Sequence, residues 1–209
     1  MRNFLLPAFA ALTLGLSACA EGNDTPEGDA APLAGATIGG SFTLTNQDGE
    51  TVSDSDFAGQ YRIMYFGYTF CPDVCPIDLQ KLAKGFAEFE KTDPERAAKI
   101  QPIFVTIDPA RDTPEILKTY VNAFHPRMIG LTGSEDDIDA VREKFAVYAE
   151  KVEDDGMSGY LVDHSRQAYL LDPDGKPLAL LSVDKKPDGQ TSVPGDIAAE
   201  IDRWGPVAG

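Results

Sequence analysis

The sequence predicts an α/β domain: a mixed sheet flanked by helices and opened by an N-terminal β-hairpin. Three observations carry this. The near-continuous apolar run from Tyr61 to Tyr68 fits a central strand covered on both faces. Stretches with helical spacing follow this run and the next apolar one, as βαβ crossovers require. Two short apolar segments around Pro173-Asp174-Gly175, then a last amphipathic stretch, close the chain.

Phe42 and Leu44 alternate with polar residues, Gln47-Asp48-Gly49 supplies a turn, and Glu50 to Val52 returns, which makes the opening hairpin. Gly59 and Gln60 introduce the Tyr61–Tyr68 strand. From Asp78 onward Leu79, Leu82, Ala83, Phe86 and Phe89 share one helical face, and Pro76 suits the first turn. Ile100 to Ile107 is β-branched and apolar, hence a second buried strand. Thr113-Pro114-Glu115 then reads as N-cap, first-turn proline and dipole-matching acid, and Ile116, Leu117, Tyr120, Val121 and Phe124 continue it as an amphipathic helix. Met128 to Leu131 is a short strand, and Ser134 caps a helix that turns Ile138, Val141 and Phe145 inward. Gln167 to Leu171 and Pro177 to Leu181 form the late hairpin, and Ile197, Ile201 and Trp204 mark the closing helix. The predicted order is hairpin, β-α-β-α-β-α, then β-β-α.

Ahead of this domain, Met1-Arg2-Asn3 is a short positive start and Phe4 to Leu16 an apolar stretch too short to span a bilayer. Leu16-Ser17-Ala18-Cys19 closes it as a cleavage box resembling that of bacterial lipoproteins, with lipid expected on Cys19. The expected organisation is a lipoprotein signal peptide over 1–18, a flexible tether over 19–35 and one domain over 36–209. Ala20 to Gly35 holds four acids and no base, too polar to build a core. The expected location is the periplasmic side of a bacterial membrane, with the lipid as the membrane contact.

The formal net charge is −16; residues 1–18 hold one base, Arg2, and no acid, so the processed chain carries −17. Such a surface repels phosphate backbones and excludes nucleic acid as an expected partner.

The chain has three cysteines. With Cys19 given to lipid, Cys71 and Cys75 in Cys71-Pro72-Asp73-Val74-Cys75-Pro76 are the thiols of the domain, at the carboxyl end of a central strand where α/β sites gather. A close thiol pair suits reversible disulfide chemistry, a soft metal ion or a small structural disulfide, and spacing alone does not choose among them. There are two histidines. His125, in Phe124-His125-Pro126, sits at a helix end, where a solvated or C-capping imidazole is the ordinary explanation. His164, in Val162-Asp163-His164-Ser165, is placed in a loop before the late hairpin. Asp108, Arg111 and Asp112 form a polar loop whose plain roles are turn capping and ion pairing. A docking or metal-relay surface is the other reading of that loop.

Cys71–Pro76, the stretch Val105-Thr106-Ile107-Asp108-Pro109-Ala110-Arg111-Asp112-Thr113-Pro114, and Val162–Ser165 with Tyr169 and Asp172-Pro173-Asp174-Gly175 together resemble the Sco/SenC family of copper chaperones for cytochrome c oxidase assembly. The three blocks arrive in the family's order and span nearly the whole domain. The resemblance implies a thioredoxin-like fold and copper bound by Cys71, Cys75 and His164. It implies as partners the copper-accepting subunit of cytochrome c oxidase and other copper chaperones. Two thiolates and an imidazole are a soft set suited to three-coordinate Cu(I), whereas structural zinc normally takes a fourth ligand. A helix beginning near Cys75 is expected to lower that thiol's pKa, Asp73 to act as a first-turn acid, and Asp163 to orient His164 or serve its turn.

The competing expectation is a thiol-disulfide oxidoreductase using Cys71 and Cys75 to reduce target cysteines outside the cytoplasm. Against it, thioredoxin-type enzymes place two residues between the cysteines rather than three, and a cis-proline opposite them. The segment Tyr160 to Ser165 has no proline and offers His164 instead. A peroxidase lacks support for want of a separate peroxidatic cysteine.

Overall fold

The computed structural model describes residues 30–154 and 159–207. The expected signal peptide, Cys19 and most of the expected tether lie outside the described residues. Leu33 donates its N–H to the Leu178 carbonyl (2.9 Å) and packs against the core.

The opening strands β1 (Thr43–Asn46) and β2 (Thr51–Ser53) pair antiparallel. The Asn46 side chain accepts the Asp48 and Glu50 N–H groups, both at 2.9 Å, and fixes the turn between them. After a 3₁₀ turn at Asp54–Phe57 come β3 (Tyr61–Gly67) and helix α1 (Val74–Thr92). A one-turn helix α2 (Pro94–Ala97) follows, capped by Asp93. Next are β4 (Ile100–Thr106), α3 (Pro114–Asn122), β5 (Ile129–Thr132) and α4 (Glu135–Lys144). As expected, Thr113 and Ser134 cap α3 and α4 with their side chains.

Seven strands form one mixed sheet in the order β2-β1-β5-β4-β3-β8-β9, where β8 is Ala168–Leu171 and β9 is Pro177–Leu181. Strand β3 runs parallel to β4 and antiparallel to β8, so it is paired along both sides. Alternation along β3 separates the two layers. Tyr65 stacks on Phe104, which meets Tyr120 of α3, whereas Phe66 meets Phe145 and Tyr169 on the other face. The closing helix α5 (Pro194–Trp204) lies against α1, where Gly85 permits the approach: a Cβ there would come within 2.6 Å of the Pro194 carbonyl oxygen. This is the thioredoxin-like arrangement that the resemblance implies. Among the described residues no helix is long and apolar enough to cross a membrane.

The segment after α4 departs from the sequence expectation. Strands β6 (Ala149–Asp154) and β7 (Gly159–His164) form a separate two-stranded ribbon, with Ala149 opposite His164. His164 is therefore the last residue of a strand rather than part of a loop.

Candidate metal centre

The two cysteines flank the junction of β3 and α1. Gly67, the last residue of β3, leaves the space that Cys75 occupies: a Cβ on Gly67 would lie 3.1 Å from the Cys75 sulfur. Cys75 sits in the first turn of α1 and is 0% exposed, while Cys71 is 9% exposed beside it. Phe70 and Ile77, which flank the pair in sequence, are about half exposed. The Cys75 N–H points at the Cys71 sulfur, 3.4 Å away, so Cys71 occupies the place of a helix cap. Asp73, the residue in the N-cap position, makes no side-chain capping bond.

That geometry reverses the expected electrostatics of the pair. Cys71, not Cys75, is the thiol pushed down: the facing Cys75 thiol stabilises its thiolate against the cost of burial, with further help from the N–H groups of Cys75 and Asp73. Cys75 is pushed up, first by the hydrogen bond with Cys71 and then by burial. The helix terminus is satisfied by the sulfur in front of it rather than by the sulfur within its first turn.

His164 enters from the ribbon. Its Nε2 lies 3.1 Å from the Cys75 sulfur, and its Nδ1 lies 2.8 Å from the Ser165 carbonyl oxygen. A carbonyl only accepts, so Nδ1 carries the proton and the Nε2 lone pair faces the thiols. The orienting group is thus the Ser165 carbonyl; Asp163 is exposed and does not bond the ring. The donor atoms of Cys71, Cys75 and His164 lie within 4.8 Å of one another. They are the residues of the described chain that could together hold a metal ion, and the softness of the set fits copper.

Three side chains from the loop after β4 brace this arrangement. Asp112, 0% exposed, accepts the Thr69 N–H (3.1 Å), the Thr69 hydroxyl (2.6 Å) and the Thr106 hydroxyl (2.6 Å), tying the cysteine loop to β4. Burial raises the Asp112 pKa against the lowering effect of those donors. Asp108, also fully buried, pairs with Arg111 and accepts the Tyr160 hydroxyl at 2.6 Å. Arg111 donates to the Tyr160 carbonyl (2.8 Å), lies 3.8 Å from the Tyr160 ring centroid and 5.0 Å from that of Phe70. The turn-capping and ion-pairing reading of this loop therefore describes what these residues do, and what they hold is the ribbon bearing His164. From the cysteine loop Tyr68 adds an edge-on contact to the His164 ring and accepts the Val162 N–H at 3.1 Å.

His125 is buried rather than solvated. It bonds Glu90 (3.0 Å), accepts the Arg127 N–H (3.3 Å) and packs on Phe86, and it is not among the clustered donors.

Sequence reasoning missed Asp78, which is 0% exposed one turn beyond Cys75. It receives two hydrogen bonds from Arg166, at 2.8 and 2.6 Å, and one from the Tyr65 hydroxyl at 3.2 Å. An acid on the apolar side of a helix, three residues after a cysteine, was the available signal.

The family profile for SCO1/SenC matches residues 30–198. The chain belongs to this family. A SCO2-like protein of Rickettsia felis is 41% identical over 172 residues, covering 78% of this chain and 80% of that protein. The mitochondrial SCO1 homolog of Mus musculus is 39% identical over 164 residues, covering 78% of this chain but 56% of the relative, so the chain spans about half of that longer protein. Among solved structures, copper-bound ScoI of Bradyrhizobium japonicum has a TM-score of 0.69 at 35% identity, covering 80% of this chain and 99% of that one. The structure of BsSco, described with a disulfide switch and as a member of the Sco family of cytochrome c oxidase assembly proteins, has a TM-score of 0.58 at 25% identity, covering 78% and 91%.

Proposed function

We propose that this SCO1/SenC protein is a copper metallochaperone that binds copper through Cys71, Cys75 and His164 and delivers it to the copper-accepting subunit of cytochrome c oxidase. The observation that carries this reading is the 3.1 Å approach of His164 Nε2 to the Cys75 sulfur, with Cys71 completing a soft three-donor set. Copper is the cargo, so the site must release it as well as hold it. Cys75 is sealed against Gly67 and is 0% exposed, whereas Cys71 keeps 9% of its surface exposed. An incoming soft ligand from the acceptor therefore meets the metal from the Cys71 side. The acidic chain works from the periplasmic side of a bacterial membrane, held by lipid on Cys19, with the acidic segment up to residue 30 as its leash.

The low pKa and partial exposure of Cys71 favour one second reading, a thiol-disulfide reductase with Cys71 as attacking thiol. His164 separates the two. His164→Ala removes one copper ligand and leaves both thiols able to form and exchange a disulfide. Copper binding by the purified variant, its disulfide reactivity and oxidase assembly in cells carrying it are to be measured together. Lost assembly with intact thiol chemistry supports copper delivery; normal assembly despite lost copper refutes it and installs the reductase.

A further inference from the structure

The two halves of the donor set come from distant parts of the chain. Cys71 and Cys75 belong to the start of α1, and His164 ends the β6–β7 ribbon. The ring contact of His164 with Tyr68 and the Arg111 cluster hold the ribbon from the cysteine-loop side. On its other side, two residues beyond the histidine, Arg166 reaches back to α1. Its Nε and Nη2 meet the two carboxylate oxygens of Asp78 at 2.8 and 2.6 Å, and its Nη1 meets Asp184 at 3.0 Å. Asp78 is 0% exposed and follows Cys75 by three residues, so it lies above it on the same helix face.

We propose that the Asp78–Arg166 pair is a positioning device for the copper site, fixing His164 at bonding distance from Cys75. A two-pronged guanidinium–carboxylate contact has a defined plane as well as a defined distance. It therefore sets both the separation and the orientation of the 164–166 backbone relative to the first turn of α1. The same backbone supplies the Ser165 carbonyl that selects the His164 tautomer, so displacing it moves the ring and loosens the bond that keeps Nε2 free. Lysine in place of Arg166 preserves charge and loses the plane. The inference rests on the copper-binding reading of the site and adds to it residues that touch no metal.

A double-mutant cycle separates positioning from general support of the fold. Cu(I) affinity is measured by competition with a colorimetric chelator for wild type, Arg166→Gln, His164→Ala and the double variant, with urea stability of each metal-free protein alongside. Arg166→Gln is expected to weaken copper about 10- to 100-fold, the usual effect of a group that orders a ligand. In the His164→Ala background it is expected to change affinity by less than about twofold, because there is no longer a ring to position. Arg166→Lys should fall between wild type and Arg166→Gln. If Arg166→Gln leaves an unpartnered acid and folds poorly, Asp78→Asn with Arg166→Gln supplies a neutral pair of similar shape for the same cycle. A loss of affinity equal in both His164 backgrounds, or no loss while stability falls, overturns the proposal. If His164→Ala itself binds copper as wild type does, the copper reading fails instead, and the two failures are told apart.

Discussion

Gly67→Ala offers a sharp test because its expected sign is opposite to the ordinary one. No left-handed backbone angle is required at Gly67, and at an uncrowded site of this kind alanine stabilises by about 0.4–1 kcal/mol through the unfolded chain. Here the new methyl would lie 2.9 Å from Tyr65 Cε1, 3.1 Å from the Cys75 sulfur and 3.2 Å from Phe104 Cε2. All three neighbours are 0% exposed, and β3 is held by β4 on one side and β8 on the other, so neither side chains nor backbone can retreat cheaply. Overpacking of that kind costs about 1–3 kcal/mol, and each kcal/mol lowers Tm by about 2–4 °C in a domain of this size. The sulfur is the most yielding of the three, so copper affinity should fall with stability. Urea unfolding of the metal-free protein and Cu(I) competition measure the two. Gly195→Ala is the control: its nearest neighbour, Glu88 Oε2, is 3.8 Å away, and no loss is expected. Unchanged or increased stability of Gly67→Ala with unchanged copper affinity would refute the account of how Cys75 is seated.

Alkylation of the metal-free, reduced protein should modify Cys71 at mildly acidic pH, where an ordinary thiol of pKa about 8.5 is inert; mass spectrometry that finds Cys75 reacting first, or Cys71 reacting only near pH 8.5, contradicts the assignment. Because the folded pKa of Cys71 is depressed, its contribution to stability is lost as pH falls through the folded value, and because that of Cys75 is raised, the pair loses stability again as pH rises above the ordinary thiol range. Asp112→Ala should destabilise by about 1–3 kcal/mol for each buried donor it orphans, and Asp112→Asn by less, as read from denaturant midpoints; equal midpoints for all three proteins would sink the bracing role. Cys19→Ala should abolish metabolic lipid labelling and release the protein from the membrane fraction; a variant still labelled rules out the anchor.

The sheet and its large helices were legible because their signals are local. The Tyr61–Tyr68 run, the α1 spacing and the Thr113 and Ser134 caps each sit within one element. The β6–β7 ribbon was not legible, since Ala149–Asp154 is mostly charged and the two strands pair only with each other, outside the main sheet. Helix α2 went unread although Asp93-Pro94 carries a cap and first-turn proline. For the site, the thiol pair stood out from spacing, and His164 came from the family resemblance. The Cys71–Cys75 asymmetry needed the helix start to be located to the residue. Asp78 and Arg166 are 88 positions apart, and a bond at that separation leaves no pattern along the chain.

The most direct test of the central claim is X-ray absorption of the purified domain carrying one equivalent of Cu(I), beside the same measurement on His164→Ala. The account predicts two sulfur neighbours and one imidazole nitrogen per copper in the wild type, with the nitrogen lost and both sulfurs kept in the variant. A wild-type spectrum with fewer than two sulfurs, or one that His164→Ala leaves unchanged, would contradict it.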